Sequence, residues 1–373
     1  MKGEEVNLLD KIVCVDAEGR YYYDIINSSG KEWLLNEKDL KTAFEIYQPT
    51  ALRGRFLKRI FPYVHQWKVI SKILGVKKEK ISLEKDIKNF LDSTFGKDYE
   101  VSYFGGTPSV HQKVILQISR ENEVRAYCKV SDNNEVGILF DKECDALMYL
   151  RECGVKNIPR VIERKTLNGL EIFIQSNVKK SCFRIEYSFS KYSLHFLHTL
   201  YSKTRVQIRF NQSDYAQMLN NLKLNCHKLN EKKKEIVVTA ISYVEDRYRE
   251  NSYVEFSFYH GDFTPWNTAI CKKKLCAFDF EYYKKTYPPY LDAFHFYVQT
   301  EIFLHHNSPE HILKKRKRIF KVLECLGVEV DFAFKLYLLE IINLYLSRTN
   351  TDNEAEIKNM ELRLRLLQEL NKT

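Results

Sequence analysis

The chain has 373 residues, 44% hydrophobic and 29% charged, and 59 Lys+Arg against 49 Asp+Glu leave a net charge of +10. That length supports two or three compact units with real cores, so disulfide staples are unnecessary, and nine scattered cysteines without paired spacing argue against a structural zinc site and fit free thiols in a reducing compartment. No stretch approaches the ~20 apolar residues of a membrane span, and the opening MKGEEVNLLDKIV has no signal-peptide run, so a cytoplasmic protein is expected, its basic excess suiting either an anionic partner or a solvated surface.

In chain order, residues 11–35 read as a small β region. Ile12-Val13-Cys14-Val15 and Tyr21–Ile26 are apolar runs parted by the turn signal Asp16-Ala17-Glu18-Gly19. Residues 37–75 read as helical pieces broken near Pro49 and Pro62. The basic, aromatic piece from residue 51, with Trp67, suits a helix packed on its own domain or one lying on an anionic membrane surface. Leu83, Ile87, Phe90 and Leu91 repeat at helical spacing up to Gly96.

The period then changes. Residues 99–104, 110–119 and 124–131 are strand-like. A helix over 138–152 carries Ile138, Leu139, Ala146, Leu147 and Leu150 and ends at Gly154. Pro159–Ile162 and Leu170–Ile174 read as two more strands. From about residue 184 the pattern is helical except for 255–283. Strands followed by helices predict α+β rather than alternating α/β. The expected order is an N-terminal extension over 1–96, a five-stranded antiparallel half with one helix over 97–178, and a helical half over 179–373.

The chemistry concentrates in YHGDFTPWNTAICKKKLCAFDFEYY, residues 259–283. Asp262, Asn267 and Asp279 are poor core residues, yet their surroundings are apolar. Phosphoryl transfer needs an oriented nucleophile, placed phosphates and neutralising Mg²⁺, a hard cation that takes oxygen ligands. A carboxylate for the hydroxyl proton, an amide oxygen and a second carboxylate meet those needs. The Asp-to-Asn step of five matches the catalytic loop H-R-D-x-x-x-x-N, with Gly261 at the Arg position. Asp279 lies in an apolar strand-like run, where a carboxylate is costly unless paired or metal-bound.

These residues make the chain resemble the aminoglycoside phosphotransferase and choline kinase-like family, within the protein-kinase-like fold. The resemblance implies a bilobal fold, ATP and Mg²⁺ as cofactors, and a small-molecule hydroxyl as acceptor. It implies Asp262 as catalytic base, His260 as a brace of the loop, and Asn267 and Asp279 as magnesium ligands. Phe280-Glu281 departs from the Phe-Gly of protein kinases.

The same reading asks for a strand lysine on the α/β-phosphates paired with a helix glutamate; Lys129 and Glu143 are the candidates, in the required order. Gly105, Gly106, Thr107 and Ser109 sit in a loop whose amides can face phosphates, or in an ordinary hairpin turn. Gln175 and Ser176 are nearest the expected adenine hinge. Asp292 begins a helix and can brace the loop. Trp266 packs the loop or lines the cleft. His195 and His198 read as helix-face residues, Leu336, Leu339, Ile342 and Leu346 as core, and Lys314–Arg318 as a solvated face or a patch for phosphate-rich partners. A net charge of +10 disfavours a cationic antibiotic acceptor, leaving a sugar or glycan precursor, with residues 51–80 near a membrane surface. A scaffold that binds nucleotide without turnover is the rival. No nucleic-acid motif is present, and the oligomeric state is left open.

Overall fold

The structure is a computed structural model, and it describes residues 8–49, 52–65, 76–107, 109, 111–179, 183–249, 252–348 and 354–372. The chain forms two compact units, one from residues 1–148 and 159–181, the other from 149–158 and 182–373.

The first unit is built on an eight-stranded antiparallel sheet. Its strands are β1 (Val13–Ile26), β2 (Glu32–Asn36), β3 (Lys77–Leu83), β4 (Glu100–Phe104), β5 (Val114–Arg120), β6 (Glu123–Ser131), β7 (Val161–Leu167) and β8 (Leu170–Ser176). Their order is β3-β1-β2-β4-β5-β6-β8-β7. This corrects the expected five strands. The early β region is part of the sheet, because β2 pairs with β4 through Trp33 opposite Phe104 and Leu34 opposite Tyr103. β3 escaped the sequence reading because Lys77-Lys78-Glu79-Lys80 shows no apolar alternation. Charged residues of this kind blunt an open sheet edge.

Alternation along the strands sends side chains to two cores. Tyr22 and Leu34 join Val101, Tyr103, Leu116, Ile118, Cys128 and Ile174 on one face. Ile87 and Leu91 cover that face from a helix, α1 (Lys85–Phe95), capped by the Glu84 carboxylate and ended at Gly96. Tyr23, Trp33 and Leu35 pack on the other side with Phe44, Tyr47, Leu57 and Phe61. Leu57 and Phe61 belong to α2 (Leu52–Val64), whose apolar side therefore packs within its own unit. The expectation for residues 66–75, Trp67 included, lies outside the described residues.

A longer helix, α3 (Asn134–Glu152), follows β6. It buries Val136, Phe140, Ala146, Leu147 and Leu150; Ile138 is exposed, not on the core face as expected.

The second unit is mostly helical. It contains α4 (Lys191–Thr204), α5 (Asp214–Asn225), α6 (Glu231–Tyr248), α7 (Leu291–Phe303), α8 (Pro309–Glu324), α9 (Val330–Ser347) and α10 (Glu354–Asn371). A three-stranded sheet runs in the order β13 (Lys284–Tyr287), β10 (Tyr253–Tyr259), β9 (Val206–Arg209), and β11 (Thr268–Cys271) pairs with β12 (Lys274–Ala277) as a hairpin. Every residue of α7 from Leu291 to Ile302 is buried, the signature of a helix enclosed on all sides. Leu336, Leu339, Ile342 and Leu346 of α9 are core, as read. The run Lys314–Arg318 on α8 is not one solvated face. Arg316 is buried and its Nε donates to Asp331 at 2.7 Å. No helix among the described residues is long and apolar enough to cross a membrane, and none of their cysteines forms a disulfide.

Candidate active site

In the second unit, β10 delivers the chain into the loop at His260, and the β11–β12 hairpin brings it back to Asp279. Gly261 is required where the two meet. Its φ is +85°, and a Cβ there would lie 2.4 Å from the Tyr282 carbonyl oxygen, so no arginine fits this position. The backbone N–H of Phe278 donates to the Asn267 carbonyl at 3.1 Å, which ties the loop to the residue before Asp279. Asp279 itself has φ +71°, a left-handed conformation that aspartate tolerates and that often marks functional positions.

The Asp262 carboxylate is held on both oxygens. Asn267 Nδ2 donates to Oδ2 at 2.7 Å and to the Asp262 carbonyl at 3.1 Å, while His295 Nε2 donates to Oδ1 at 3.2 Å. Because Asn267 spends its amide nitrogen on Asp262, its Oδ1 is the side left for a cation. The Asp279 and Glu281 carboxylates come within 4.8 Å of each other, and Glu281 is buried. An amide oxygen with two carboxylates is a donor set suited to magnesium.

Two buried groups support the loop. Asp292, at the start of α7, accepts from the backbone N–H of His260 at 2.8 Å and of Gly261 at 3.2 Å. Burial pushes its carboxyl up to about 7, against those two amides, which favour the charged form. His260 accepts at Nδ1 from the Asp262 N–H at 3.3 Å and lies against the Phe280 ring, centroids 4.2 Å apart. Burial lowers its pKa to about 4, although the charges of Asp262 and Asp279 pull the other way. The ring is therefore a neutral brace. Trp266, partly exposed in the loop, meets Phe303 edge-on at 6.4 Å.

In the first unit, Lys129 on β6 and Glu143 on α3 form a buried ion pair at 2.5 Å. Lys129 stands opposite Phe173 of β8, and Tyr127, two residues earlier on the same face, stands opposite Gln175. Gln175 is buried with its Oε1 lacking a partner among the described residues, whereas the Ser176 hydroxyl already accepts from the Arg160 N–H at 2.9 Å. After β4, the Gly105 N–H donates to Glu32 and its carbonyl accepts from Gln112 at 2.6 Å. Gly106 has φ +84°, and a Cβ there would sit 2.4 Å from the Lys113 carbonyl. Thr107 and Ser109 are exposed, and Pro108 lies outside the described residues. His195 and His198 are exposed helix-face residues; His198 Nδ1 meets the Tyr290 hydroxyl at 2.9 Å.

Sequence reasoning missed His295 and Glu281 as site residues. Glu281 was noted only as a departure from Phe-Gly. His295 sits three residues after Asp292 inside an apolar helix, and its helical offset from the brace was the one available signal.

No protein-family model matches the chain, and no curated protein matches it. Solved structures do. A choline/ethanolamine kinase family protein from Mesorhizobium loti aligns at 12% identity and TM-score 0.49, over 76% of this chain and 91% of its own. The amicoumacin kinase hAmiN, in complex with AMP-PNP, Ca²⁺ and Ami, aligns at 8% and 0.47, over 78% and 94%. The GDP complex of aminoglycoside 2'-phosphotransferase-IIIa aligns at 14% and 0.47, over 77% and 98%. At these identities and TM-scores the likeness says nothing of a substrate.

Proposed function

We propose that the protein is an ATP- and Mg²⁺-dependent small-molecule kinase that phosphorylates a hydroxyl group, with a sugar or glycan precursor as acceptor. The observation that carries this reading is the Asp262 carboxylate, held between Asn267 and His295 in a loop that also presents Asn267 Oδ1 and leads to Asp279. Asp262 takes the acceptor's proton as the acceptor oxygen bonds to the γ-phosphorus. The bond to the bridging oxygen breaks, and ADP leaves with that oxygen. Asn267 and Asp279, with Glu281 beside Asp279, would hold magnesium, which neutralises phosphate charge when bound. His260 and Asp292 keep the loop in register.

Lys129, fixed by Glu143, is the residue for the α/β-phosphates. Gly105, Gly106, Thr107 and Ser109 supply a loop able to cover them, and the Gln175–Ser176 backbone suits adenine. On this reading 97–178 is the nucleotide lobe, 179–373 the acceptor lobe, and 1–96 an addition to the first. The exposed face of α2, with Phe56 and Tyr63 beside Arg55 and Arg59, suits peripheral contact with an anionic membrane surface.

The test is ATP consumption with a panel of hydroxyl compounds, wild type against Asp262→Ala. Product formed only by the wild type is expected. Nucleotide binding with no product from any acceptor would instead make the protein a scaffold.

A further inference from the structure

The second unit holds a cavity of about 260 Å³. Its described walls come from α6, α8, the first two turns of α9 and the end of α10, and none of the candidate active-site residues belongs to them. The volume far exceeds the roughly 10–15 Å³ that a single water needs, so a small solute fits.

Lys335, on the second turn of α9, is the unusual wall residue. It is 9% exposed, yet its ammonium makes no hydrogen bond or ion pair among the described residues. Its Nζ lies 4.2 Å over the ring of Tyr243, the wall residue from α6. It is not among the unpartnered polar atoms sealed from solvent, so the cavity reaches it. Burial lowers its pKa, and the charge of Asp331, one turn earlier, opposes the fall without pairing with it. A helical side chain leans toward the helix N-terminus, so the Lys335 stem carries its ammonium back over the first turn of α9. That turn, Val330 to Phe332, lines the same cavity, and no side chain caps it. Its free N–H groups are the positive end of the helix dipole.

The wall carboxylates do not answer this charge. Glu329 is paired with Arg247, which lies over the Phe332 ring at 4.3 Å. Asp331 accepts from Arg316 Nε at 2.7 Å and lies 3.5 Å from Lys317 Nζ. Glu324 is exposed at the end of α8. Lys335 is therefore the enclosed charge left without a counter-charge. Both aromatic rings already carry a cation on one face, so the walls favour an anion over a cationic ligand.

We propose that this cavity binds a phosphate group, held by Lys335 and the first-turn amides of α9, with Lys317 closing it from α8. Phosphate fits better than carboxylate because its oxygens accept from donors converging from several directions, and lysine meets it as a point charge. The group belongs either to free phosphate or to a small phosphomonoester. The site stands apart from the kinase reading and does not depend on it.

Titration calorimetry in chloride buffer measures inorganic phosphate, sn-glycerol 3-phosphate, acetate and glycerol on wild type and Lys335→Met, with the melting temperature of each protein. Wild type is expected to bind at least one of the two phosphates about tenfold or more tighter than acetate or glycerol. Tighter binding of glycerol phosphate identifies a phosphomonoester; equal or tighter binding of inorganic phosphate identifies the free ion. Lys335→Met removes a desolvated charge and keeps the packing of the stem, so it should melt no lower than wild type and bind phosphate about tenfold or more weakly. Wild-type crystals soaked in tungstate, a phosphate mimic, should show an anomalous peak within hydrogen-bonding reach of Lys335 Nζ. That peak separates this cavity from any oxyanion held beside Lys129, and it decides the matter if the variant does not fold. The proposal is overturned if neither phosphate binds, if acetate binds as well as both, if Lys335→Met keeps the affinity, or if tungstate settles only elsewhere.

Discussion

In the proposed reaction Asp262 serves as base only if its carboxylate stays aimed, and two side chains hold it. Asn267 holds Oδ2 and His295 holds Oδ1. Asp262→Asn keeps the shape but removes the proton acceptor. Phosphoryl transfer should fall by about 10²–10⁴-fold, with the circular dichroism spectrum unchanged. His295→Asn leaves the base but frees one oxygen. A several-fold lower kcat with an unchanged KM for ATP is expected, and steady-state kinetics would check it; a change in KM for ATP alone would refute the aiming role. Gly261→Ala is a test of fold rather than chemistry. The new Cβ meets the Tyr282 carbonyl at 2.4 Å in a left-handed backbone, so a loss of at least about 1–3 kcal/mol is expected, read as a lowered urea midpoint.

At the scale of elements, the end of β10 and the start of α7 are joined through His260 and Asp292, whose titrations oppose each other. Asp292, pushed up to about 7 from 3.8, keeps its proton in the folded chain where the unfolded carboxyl has lost it. Its stabilising contribution is complete below pH 3.8 and is lost as pH rises through about 7. His260, lowered to about 4 from 6.5, behaves inversely. Its contribution is complete above pH 6.5 and is lost as pH falls through about 4. Between these limits the two offset each other. Urea denaturation from pH 4.5 to 7.5 should therefore show Asp292→Asn gaining stability with pH relative to wild type, and His260→Asn losing it. Each change has a limiting slope of about 1.4 kcal/mol per pH unit. Curves parallel to wild type would refute the assignment. The sequence exposed the Asp262–Asn267–Asp279 spacing because it lies within one short segment of strong chemical contrast. It exposed Asp292 because a carboxylate at a helix start is conspicuous. His295 stayed hidden because it is embedded in α7, a helix that reads as core. Its meaning depends on a contact with Asp262, 33 residues earlier in the chain.

At the scale of the whole molecule, the order of strands, one helix and then a helical half was legible from changes of period. The extent of the sheet was not. Pairing between β2 and β4 joins segments some seventy residues apart, and no local pattern announces it. That pairing makes residues 1–96 structurally integral to the first unit's sheet. Without them, β4 becomes an exposed edge, Phe104 loses its stack on Trp33 at 5.1 Å, and Gln117 loses the Thr42 carbonyl to which it donates at 2.8 Å. Arg20 and Lys38 would also leave Glu100, a nearly buried carboxylate paired with both. Glu100 would then face water on an edge strand, while Val101 and Tyr103 lose Tyr22 and Leu34 from their core. A fragment spanning 97–373 should therefore be recovered as aggregate or melt without cooperativity, whereas the full chain melts cooperatively. Differential scanning calorimetry of the two proteins decides the matter. A sharp endotherm from the fragment, with nucleotide binding retained, would mean that the first three strands are dispensable to the sheet they extend.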